Sequence, residues 1–387
     1  MEFLGYLREN GPVGVRNYVA IIPTVGCVNE AVLRIANQVD EAIPFLHHQG
    51  CCQLKSDYEK VSEVLAGIGN NPNVCSVLLV SLGCESVDAD ILEKQIGRTK
   101  PVELIRLQEI GGITKTVSKG VTIAREMARA ISYKRSESGL EDLTVGIKCG
   151  ASDTTSGVAS NAAVGATVDK LIEGGATVIF GETTEVIGAE HILVRRARTE
   201  EVANKILEKV QQLEERVKAM GADMRGGQPT AGNIRGGLTT IEEKSLGAIV
   251  KAGTKPIDGV LEYGEKPAKP GLYFMDSPGR EMEFLTGVAS ASAQIIFFST
   301  GLGAPQGFPI CPVIKISGNQ NTCEHLQEHI DINVSKIIRG EEEISEAGDR
   351  IFDETIKVAS GKNVKAELIN YDASGVNCNI YTIGPVI

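Results

Sequence analysis

The chain places two histidines and two cysteines in a single turn, in the string HHQGCCQ at residues 47–53. Imidazole and thiolate groups are ligands for borderline and soft metal ions, and two adjacent thiols could instead form a redox pair. No two cysteines have the Cys-x-x-Cys spacing that is typical of a zinc ribbon. The string alone is therefore compatible with a metal site, with a redox pair or with a loop that has no chemical role.

Short β-branched runs alternate with longer helical patterns in the first part of the chain. The runs at residues 19–22, 77–80 and 102–105 predict strands, and helices are predicted at 27–41, through 91–92 and from 113. Strand and helix repeated at this spacing predict a mostly parallel, doubly wound sheet with right-handed crossovers. In such sheets ligands bind beyond the carboxyl ends of the strands.

Small residues and polar or soft ligands follow each of these strands and also the short apolar run at residues 42–46. The segments are 23–27 (PTVGC), 47–53, 83–85 (GCE) and 108–112 (QEIGG). Cys51, Cys84 and Cys149 all follow a strand and lie beside a glycine. A single buried cysteine is more often a small hydrophobic residue than a ligand, but three in equivalent positions favour a function.

The strand and helix pattern begins again after a charged connector at residues 134–142. Strands are predicted at 143–147, 176–180, 272–276, 294–299 and 313–316, helices at 199–220 and 241–252, and a glycine-rich loop at 221–237. The sequence therefore predicts an α/β protein of two domains. Residues 1–135 would form the doubly wound domain, and residues 136–387 a larger mixed α/β domain.

Two segments of the second region could bind and deprotonate an acidic substrate. Lys148, Ser152 and Asp153 lie at a predicted helix start, where free backbone N–H groups favour an anion, although an ordinary helix cap would use the same residue types. Glu182 follows a strand and could transfer a proton or bind a cation. The string GNIRGGLTTIEEKSLG at 232–247 adds a glycine-rich loop, a guanidinium, a lysine at a helix entry and a possible threonine capping box.

Composition excludes several classes of protein. The 387 residues carry a net charge of −11 with no stripe of Lys and Arg, which argues against a nucleic-acid surface. No apolar stretch reaches the roughly 20 residues of a membrane span, and the first residues lack the pattern of a secretory signal. We therefore expect a cytoplasmic protein in which the nine cysteines serve as thiols, ligands or packing groups.

Seven strings resemble the altronate/galactarate dehydratase family over nearly the whole chain. They are GVRNYVAIIPTVGC (14–27), HHQGC (47–51), LGCE (82–85), LQEIGGITKT (107–116), KCGASDTTSG (148–157), GNIRGGLTTIEEKSLG (232–247) and MDSPGREMEFLTGVASASAQIIFFSTGLG (275–303). The resemblance is to the large catalytic portion. It implies a lyase that removes a proton next to a carboxylate and expels a group from the neighbouring carbon. It also implies that a small N-terminal domain is supplied by a separate small subunit, and that the large subunit forms a homo-oligomer.

The resemblance leaves the leaving group open. We expect a sugar-acid hydro-lyase that forms a 2-keto acid, and the alternative is the large subunit of the related (2R)-sulfolactate sulfo-lyases, which releases sulfite and pyruvate. A non-catalytic metal-binding scaffold is a weaker alternative, since a scaffold has no reason to collect such groups at strand ends. A nucleotide-binding oxidoreductase is disfavoured because no GxGxxG string follows the first predicted strand.

The working assignment from residues and resemblance gives each candidate a role. Catalytic roles fall to Glu182 or Lys244 for the proton and to His48 as acid for the leaving group. The expected cofactor is Fe(II) or another divalent ion such as Mn(II), with a [4Fe–4S] cluster as the alternative. Metal ligands would come from His48, Cys51, Cys84, Glu85 and Cys149, together with Glu182. The acidic substrate would be bound by Arg16, Asn17, Lys148, Ser152, Asp153, Asn233 and Arg235.

Overall fold

Two parallel β-sheets dominate the computed structural model, which describes residues 2–8, 11–371, 378–385 and 387. The strands, numbered along the chain, are β1 (Glu2–Arg8), β2 (Gly11–Gly14), β3 (Tyr18–Pro23), β4 (Ala42–Pro44), β5 (Val74–Ser81), β6 (Val102–Arg106), β7 (Ser136–Gly139), β8 (Thr144–Gly150), β9 (Thr177–Phe180), β10 (Gly259–Leu261), β11 (Leu272–Met275), β12 (Ile295–Thr300), β13 (Val313–Ser317) and β14 (Ile332–Asn333).

Fourteen α-helices lie within the described residues. They are α1 (Asn29–Ala36), α2 (Lys55–Gly69), α3 (Ala89–Ile96), α4 (Leu107–Ile110), α5 (Ile113–Arg129), α6 (Asn161–Glu173), α7 (Glu190–Val194), α8 (Glu200–Ala219), α9 (Ala231–Arg235), α10 (Ile241–Ile249), α11 (Glu281–Ser290), α12 (Gln320–His325), α13 (Ile344–Ala359) and α14 (Lys365–Leu368). Among them, none has both the length and the hydrophobicity that a membrane crossing requires.

The first sheet is four-stranded and parallel, in the order β4-β3-β5-β6. Its central strands are buried on both faces, as expected for a sheet that helices cover on each side. Helices α1 and α5 pack on one face, and α2 and α3 pack on the other. The predicted α/β class is confirmed, and each strand predicted for this region is present.

The second sheet is seven-stranded and parallel, in the order β10-β11-β9-β8-β12-β13-β14. Strand β8 is central, with β9 on one side and β12 on the other. The chain leaves β8 towards β9 and leaves β12 in the opposite direction towards β13, so the strand order reverses between β8 and β12. Ligands in open α/β sheets bind beyond the strand ends at such a reversal.

The two sheets share a hydrophobic core. Helix α2 of the first sheet packs against α11 of the second, and the buried side chains of both helices belong to one continuous cluster with residues of β5 and β12. Asn73 adds buried hydrogen bonds across this junction, because its Nδ2 donates to the carbonyls of Gln294 and Ile310. The two units therefore pack through a mostly apolar contact.

Arg16 and Asn17, which are predicted to bind the substrate, do not lie at the carboxyl ends of the strands. They precede β3, at the amino end of the sheet, and their polar groups are already engaged. Arg16 is buried and forms an ion pair with Glu367, 2.7 Å between Nε and Oε1. Asn17 accepts a hydrogen bond from Arg8 and donates to the carbonyl of Ser132. Both residues join separate segments of the chain.

Two other expectations need correction. The charged connector contains β7, which pairs antiparallel with β1 in a small sheet with β2, so it is not a free linker. The predicted glycine-rich loop contains helix α9, which a capping box at Thr230 begins. The division at residue 135 remains a prediction.

The ion pair of Arg16 gives a test of the junction. We expect Glu367→Gln to lower the free energy of unfolding by about 3 kcal/mol, because it leaves a buried guanidinium without its counter-ion. Urea denaturation would measure the change. The matched control is Glu341→Gln, which breaks an exposed pair with Arg339 and should leave the urea midpoint unchanged. Equal midpoints for the two variants would contradict a structural role for Arg16.

Candidate active site

Charged side chains meet at the carboxyl ends of β8 and β9. Lys148 lies near the end of β8, and Glu182 follows β9 after one glycine. Glu182 has φ of 70°, a left-handed conformation that is uncommon outside glycine and is typical of residues held in place by their surroundings. Both side chains are completely buried.

The carboxylate of Glu182 lies between two ammonium groups. Its Oε1 pairs with Nζ of Lys148, and its Oε2 pairs with Nζ of Lys251. The backbone N–H of Cys149 donates to Oε2 at 3.0 Å, and Nζ of Lys148 also donates to the carbonyl of Gly279 at 3.1 Å. Every charged group is therefore met by a partner, as burial of charge requires.

A second carboxylate extends this network. Glu185 lies 3.3 Å from Nζ of Lys251 through Oε2 and 3.3 Å from Nζ of Lys244 through Oε1. Lys244 also donates to Oε1 of Gln228 at 2.7 Å. We call Lys148, Lys244, Lys251, Glu182 and Glu185 the lysine–glutamate cluster. The carboxylate of Glu281 also acts on Lys148, so the three lysines are matched by three neighbouring glutamates.

Opposite charges within the cluster offset the free-energy cost of burying each ionised group. Burial opposes ionisation of Glu185, but the ammonium groups of Lys244, Lys251 and Lys148 outweigh it and lower the pKa of Glu185 to about 2. Burial also opposes the charge on Lys251, yet the carboxylates of Glu182 and Glu185 raise its pKa above the ordinary value. Burial and the carboxylate of Glu185 raise the pKa of Glu182, while Lys148 and Lys251 act in the opposite direction. Opposite charges thus stabilise one another at a site removed from solvent.

A cavity of about 460 Å³ lies beside the cluster, at the reversal of strand order. Cys149, Ser152 and Asn161 form part of its wall, and Lys244 is the cluster member that lines it. Its rim is apolar and exposed, formed by Val158, Leu246 and Val250 among others. The cavity is therefore open to solvent on one side and bounded by an ammonium group on the other.

Close packing of two glycines places Lys244 at this cavity. A Cβ atom on Gly157 would lie 3.0 Å from Cα of Gly247, so helix α10 can approach the start of α6 only without side chains there. Gly157 belongs to one turn of π-helix at Ser156–Ser160, a feature that is frequent at functional sites. The segment KCGASDTTSG thus supplies both the wall of the cavity and the contact for α10.

The predicted substrate-binding residues around this segment are only partly free to bind. Asp153 accepts hydrogen bonds from the N–H of Ser156 at 3.0 Å and from Nδ2 of Asn319 at 2.7 Å, so it caps the helix start and fixes a neighbouring loop. Asn233 donates from Nδ2 to the carbonyl of Ser152 at 2.9 Å. Arg235 is exposed at the end of α9. Asp153 and Asn233 therefore support the cavity wall.

The two histidines of the string HHQGCCQ have different environments. His47 is buried, with Nε2 at 2.8 Å from the carbonyl of Pro23 and Nδ1 accepting the N–H of Gln49, so it fixes the loop. His48 lies beside Arg280 and Glu283, at the start of α11 in the second region of the chain. Burial lowers its pKa although the carboxylate of Glu283 acts in the opposite direction.

The predicted metal ligands do not form one site. Among the described residues, no three His, Cys, Asp or Glu side chains form a group that could hold a metal ion. Cys51 and Cys84 are exposed at the edge of the first sheet, whereas Cys149 is buried at the second. Burial raises the pKa of Cys149, which disfavours the thiolate that a metal needs. The side chains as arranged therefore do not fit the predicted ligand set.

Glu85 is also engaged within its own loop. Its carboxylate accepts hydrogen bonds from Oγ1 of Thr24 and from the N–H of Gly83, the latter at 2.7 Å. Burial would raise the pKa of Glu85, but hydrogen bonds from Ser81, Thr24 and the backbone lower it. Glu85 thus joins the loops that follow β3 and β5.

Sequence reasoning missed Lys251, Glu185 and Asn161. Glu185 had a signal, because its spacing of three residues from Glu182 places both carboxylates on one turn. Lys251 lies in an apolar helix end and Asn161 in an ordinary helix start, so neither type nor spacing distinguished them. Packing against the sheet brings Lys251 to the cluster and Asn161 to the cavity wall.

A larger cavity of about 810 Å³ lies at the opposite edge of the first sheet and is lined in part by Arg8, Asn17 and Cys75. The lysine–glutamate cluster is not part of its lining. The smaller cavity is therefore the better candidate for the active site, because a member of the lysine–glutamate cluster lines it.

Comparison with known proteins matches both regions of the chain to one family. Residues 5–132 match the model of the second domain of D-galactarate dehydratase/altronate hydrolase, and residues 140–381 match the C-terminal domain of D-galactarate/altronate dehydratase. The chain is 38% identical over 376 residues to (2R)-sulfolactate sulfo-lyase subunit beta of Chromohalobacter salexigens, covering 95% of each protein. It is 33% identical to altronate dehydratase of Bacillus subtilis, covering 94% of this chain and 75% of that protein. It is 32% identical to galactarate dehydratase (L-threo-forming) of Escherichia coli, covering 93% and 73% respectively.

The buried carboxylate provides a test of the cluster. We expect Glu182→Gln to lower the free energy of unfolding by about 3–5 kcal/mol, because it leaves the ammonium groups of Lys148 and Lys251 without their shared counter-ion. Chemical denaturation would measure the loss. Glu173→Gln, which breaks an exposed pair with Lys255, is the control and should cause no resolvable change. A stable Glu182→Gln protein would show that the cluster does not depend on this charge.

Proposed function

The chain belongs to the D-galactarate/altronate dehydratase family and is a lyase by that relationship, and we propose that it converts a small 2-hydroxy acid into a 2-keto acid by α,β-elimination. The observation that carries the proposal is the position of Lys244, a member of the lysine–glutamate cluster, on the wall of an open cavity. Lysines next to an open cavity attract an anion, and a substrate carboxylate supplies one.

The ammonium groups of the buried lysines also favour the chemistry that such a substrate requires. Removal of the proton next to a carboxylate builds negative charge on the carboxylate oxygens as the enolate forms. Ammonium groups fixed in a dry site stabilise that charge without rearranging, which is the largest single contribution in many enzymes. The same cluster would therefore bind the substrate carboxylate and stabilise the enolate.

We assign the proton transfer to Lys244. It is the cluster member that lines the cavity, whereas Glu182, the other candidate, is enclosed between Lys148 and Lys251. As the base, Lys244 would act as an uncharged amine and take the α-proton, and the ammonium groups of Lys148 and Lys251 would supply the stabilising positive charge. The electron pair of the C–H bond would form the double bond as the leaving group departs with its own pair. The role of His48 as acid stays a prediction, since His48 is not part of the cavity lining.

The leaving group distinguishes two candidate reactions. Loss of hydroxide, as water, from a sugar acid would make the protein a hydro-lyase, in line with the names of its altronate and galactarate dehydratase relatives. Loss of sulfite from (2R)-3-sulfolactate would make it a sulfo-lyase. The observation that favours this second candidate is the 38% identity to the sulfo-lyase subunit beta over 95% of both chains.

Two further parts of the proposal come from the resemblance. We propose dependence on Fe(II) or another divalent ion, although the described side chains do not form a ligand group of three. When bound, such an ion would polarise the substrate oxygens. We also propose a small partner subunit, which the name of the sulfo-lyase relative, subunit beta, supports.

Turnover of three substrates tests the proposed reaction. The anaerobically purified full chain, with and without the small subunit, would be given D-altronate, galactarate or (2R)-3-sulfolactate, in added Fe(II) or after chelation with EDTA. We expect 2-keto acid in the presence of Fe(II) and its loss after chelation. Sulfite release together with pyruvate would identify the sulfo-lyase, and keto acid without sulfite the hydro-lyase. No product from any substrate in the presence of both Fe(II) and the small subunit would contradict the proposal.

Substitution of Lys244 tests the proton transfer. We expect Lys244→Met to reduce kcat by roughly 10²–10⁴-fold, the usual contribution of a positioned base. Steady-state kinetics and exchange of the α-proton with solvent deuterium would measure the change. Lys255→Met, at an exposed ion pair, is the control and should keep wild-type kinetics. If Lys244→Met folded and retained proton exchange, the base would have to be another group.

A further inference from the structure

Cys51 and Cys52 form a pair of adjacent thiols in the string HHQGCCQ. Both residues are exposed, and their Sγ atoms lie 3.7 Å apart, within the range of a weak S–H···S hydrogen bond. Neither thiol takes part in the proposed elimination. In the part of the chain that the structure describes, no three ligand side chains surround a metal position, so a metal site does not explain why these two thiols meet.

The backbone of the loop brings the two thiols to the same side. Successive side chains of an extended chain point in opposite directions, so the side chains of adjacent residues meet only where the backbone turns. Cys52 supplies that turn, because its φ of 54° lies in the left-handed region, which residues other than glycine seldom adopt. The N–H of Gly50 donates to Oε1 of Gln53 at 3.0 Å, and the carbonyl of Cys52 accepts the N–H of Ile387 at 3.0 Å. These hydrogen bonds hold the turn and with it the contact between the sulfur atoms.

Two other exposed thiols at this edge of the first sheet have no such neighbour. Cys27 follows β3 and Cys84 follows β5, whereas the loop of Cys51 and Cys52 follows β4. Among the described residues, no cysteine sulfur lies within hydrogen-bond distance of Cys27 or Cys84, and Cys84 accepts a hydrogen bond from Nε2 of Gln108 at 3.4 Å. Contact with a second thiol therefore distinguishes Cys51 and Cys52 from thiols of the same exposure.

A covalent bond between these two sulfur atoms requires a short approach and would be strained. The Sγ atoms would have to move from 3.7 Å to about 2.05 Å, the length of a disulfide bond. The Cα atoms of adjacent residues are only about 3.8 Å apart across a trans peptide, whereas most disulfides join Cα atoms at about 4.4–6.8 Å. Strain of this kind makes a disulfide easier to reduce, and strained or exposed disulfides are the labile ones. The pair is therefore suited to reversible oxidation and unsuited to a permanent cross-link.

We propose that Cys51 and Cys52 are a modification site at which a small-molecule disulfide, such as oxidised glutathione, converts the two thiols into a disulfide between adjacent residues. The thiolate of one cysteine attacks a sulfur of oxidised glutathione, which forms a mixed disulfide and releases one glutathione thiolate. The thiolate of the other cysteine then attacks the protein sulfur of the mixed disulfide and releases the second glutathione thiolate. The pair loses two protons and two electrons, which are recovered in two molecules of reduced glutathione. An excess of reduced glutathione drives the same steps in reverse.

Peptide mapping of the wild-type full chain tests this reaction. Trypsin releases residues 35–55 as one peptide, which contains Cys51 and Cys52 and no other cysteine. The reduced protein would be incubated with oxidised glutathione in the absence of oxygen, and remaining thiols would be blocked with iodoacetamide before digestion and mass spectrometry. We expect the peptide to lose two hydrogen atoms and to carry neither glutathione nor the blocking group. Two blocked thiols, two stable glutathione groups, or a bond from this peptide to another cysteine would overturn the proposal.

Reduction of the oxidised protein tests whether the modification is reversible. An excess of reduced glutathione should return the peptide of residues 35–55 to its dithiol form, because a strained disulfide is readily reduced by a simple thiol. Blocking with iodoacetamide before digestion would count the recovered thiols. A disulfide that survives this treatment would be a stable cross-link and would contradict the proposed reversible site.

Two variants at exposed positions assign the bond to this pair. Cys52→Ser removes the second thiol, so Cys51 should retain one glutathione group that no neighbouring thiol displaces. The matched control is Cys84→Ser, at another exposed thiol of the same edge, and it should form the disulfide as the wild-type protein does. Loss of the disulfide in Cys84→Ser, or a bond from Cys51 to another cysteine in Cys52→Ser, would overturn the assignment. Peptide mapping of the wild-type protein does not depend on the folding of either variant.

Discussion

The carboxylate of Glu182, shared between the buried ammonium groups of Lys148 and Lys251, is the interaction on which the proposed site depends. Lys148 comes from the central strand of the second sheet, Glu182 follows its neighbour, and Lys251 follows helix α10. One pair of oxygens therefore joins three segments that are distant along the chain. Buried ion pairs seldom add net stability compared with apolar packing, but they fix geometry, because a displaced partner would leave an uncompensated charge.

The position of the cluster follows from the topology of the sheet. The strand order reverses between β8 and β12, and the segment after β8 opens at that reversal. The glycine contact between residues 157 and 247 lets α10 come close enough for Lys244 to reach the cavity. A substrate anion would meet Lys244 on the cavity wall, while apolar side chains surround the mouth.

The first sheet contributes in a different way. Its loops are fixed by internal hydrogen bonds, such as those of His47 with Pro23 and of Glu85 with the N–H of Gly83. The shared core with α11 brings one of these loops, carrying His48, next to Arg280 and Glu283. The exposed thiols of Cys51 and Cys84 remain apart from the buried thiol of Cys149. The string HHQGCCQ, which first indicated metal chemistry, therefore forms a loop at the junction of the two domains. Hydrogen bonds with neighbouring residues fix the conformation of this loop.

The sequence by itself determined the α/β class and most strands of the two parallel sheets, and it predicted that the chemistry lies at the strand ends. Strand periodicity and the clustering of polar residues after strands are local properties, and parallel topology places all strand ends on one edge. On that basis Lys148 and Glu182 could be predicted to lie close together. The family resemblance extended the prediction to elimination chemistry.

Tertiary structure alone decided which polar groups are free and which are already engaged. Arg16, Asp153 and Asn233 have the residue types of a binding site, yet ion pairing and capping occupy them, because their partners lie on segments that no local pattern connects. Lys251 and Asn161 show the reverse, since ordinary helix positions became parts of the site through the packing of α10 and α6. The physical reason is that a polar side chain acquires its role from the partners that burial leaves to it, and those partners are set by long-range packing.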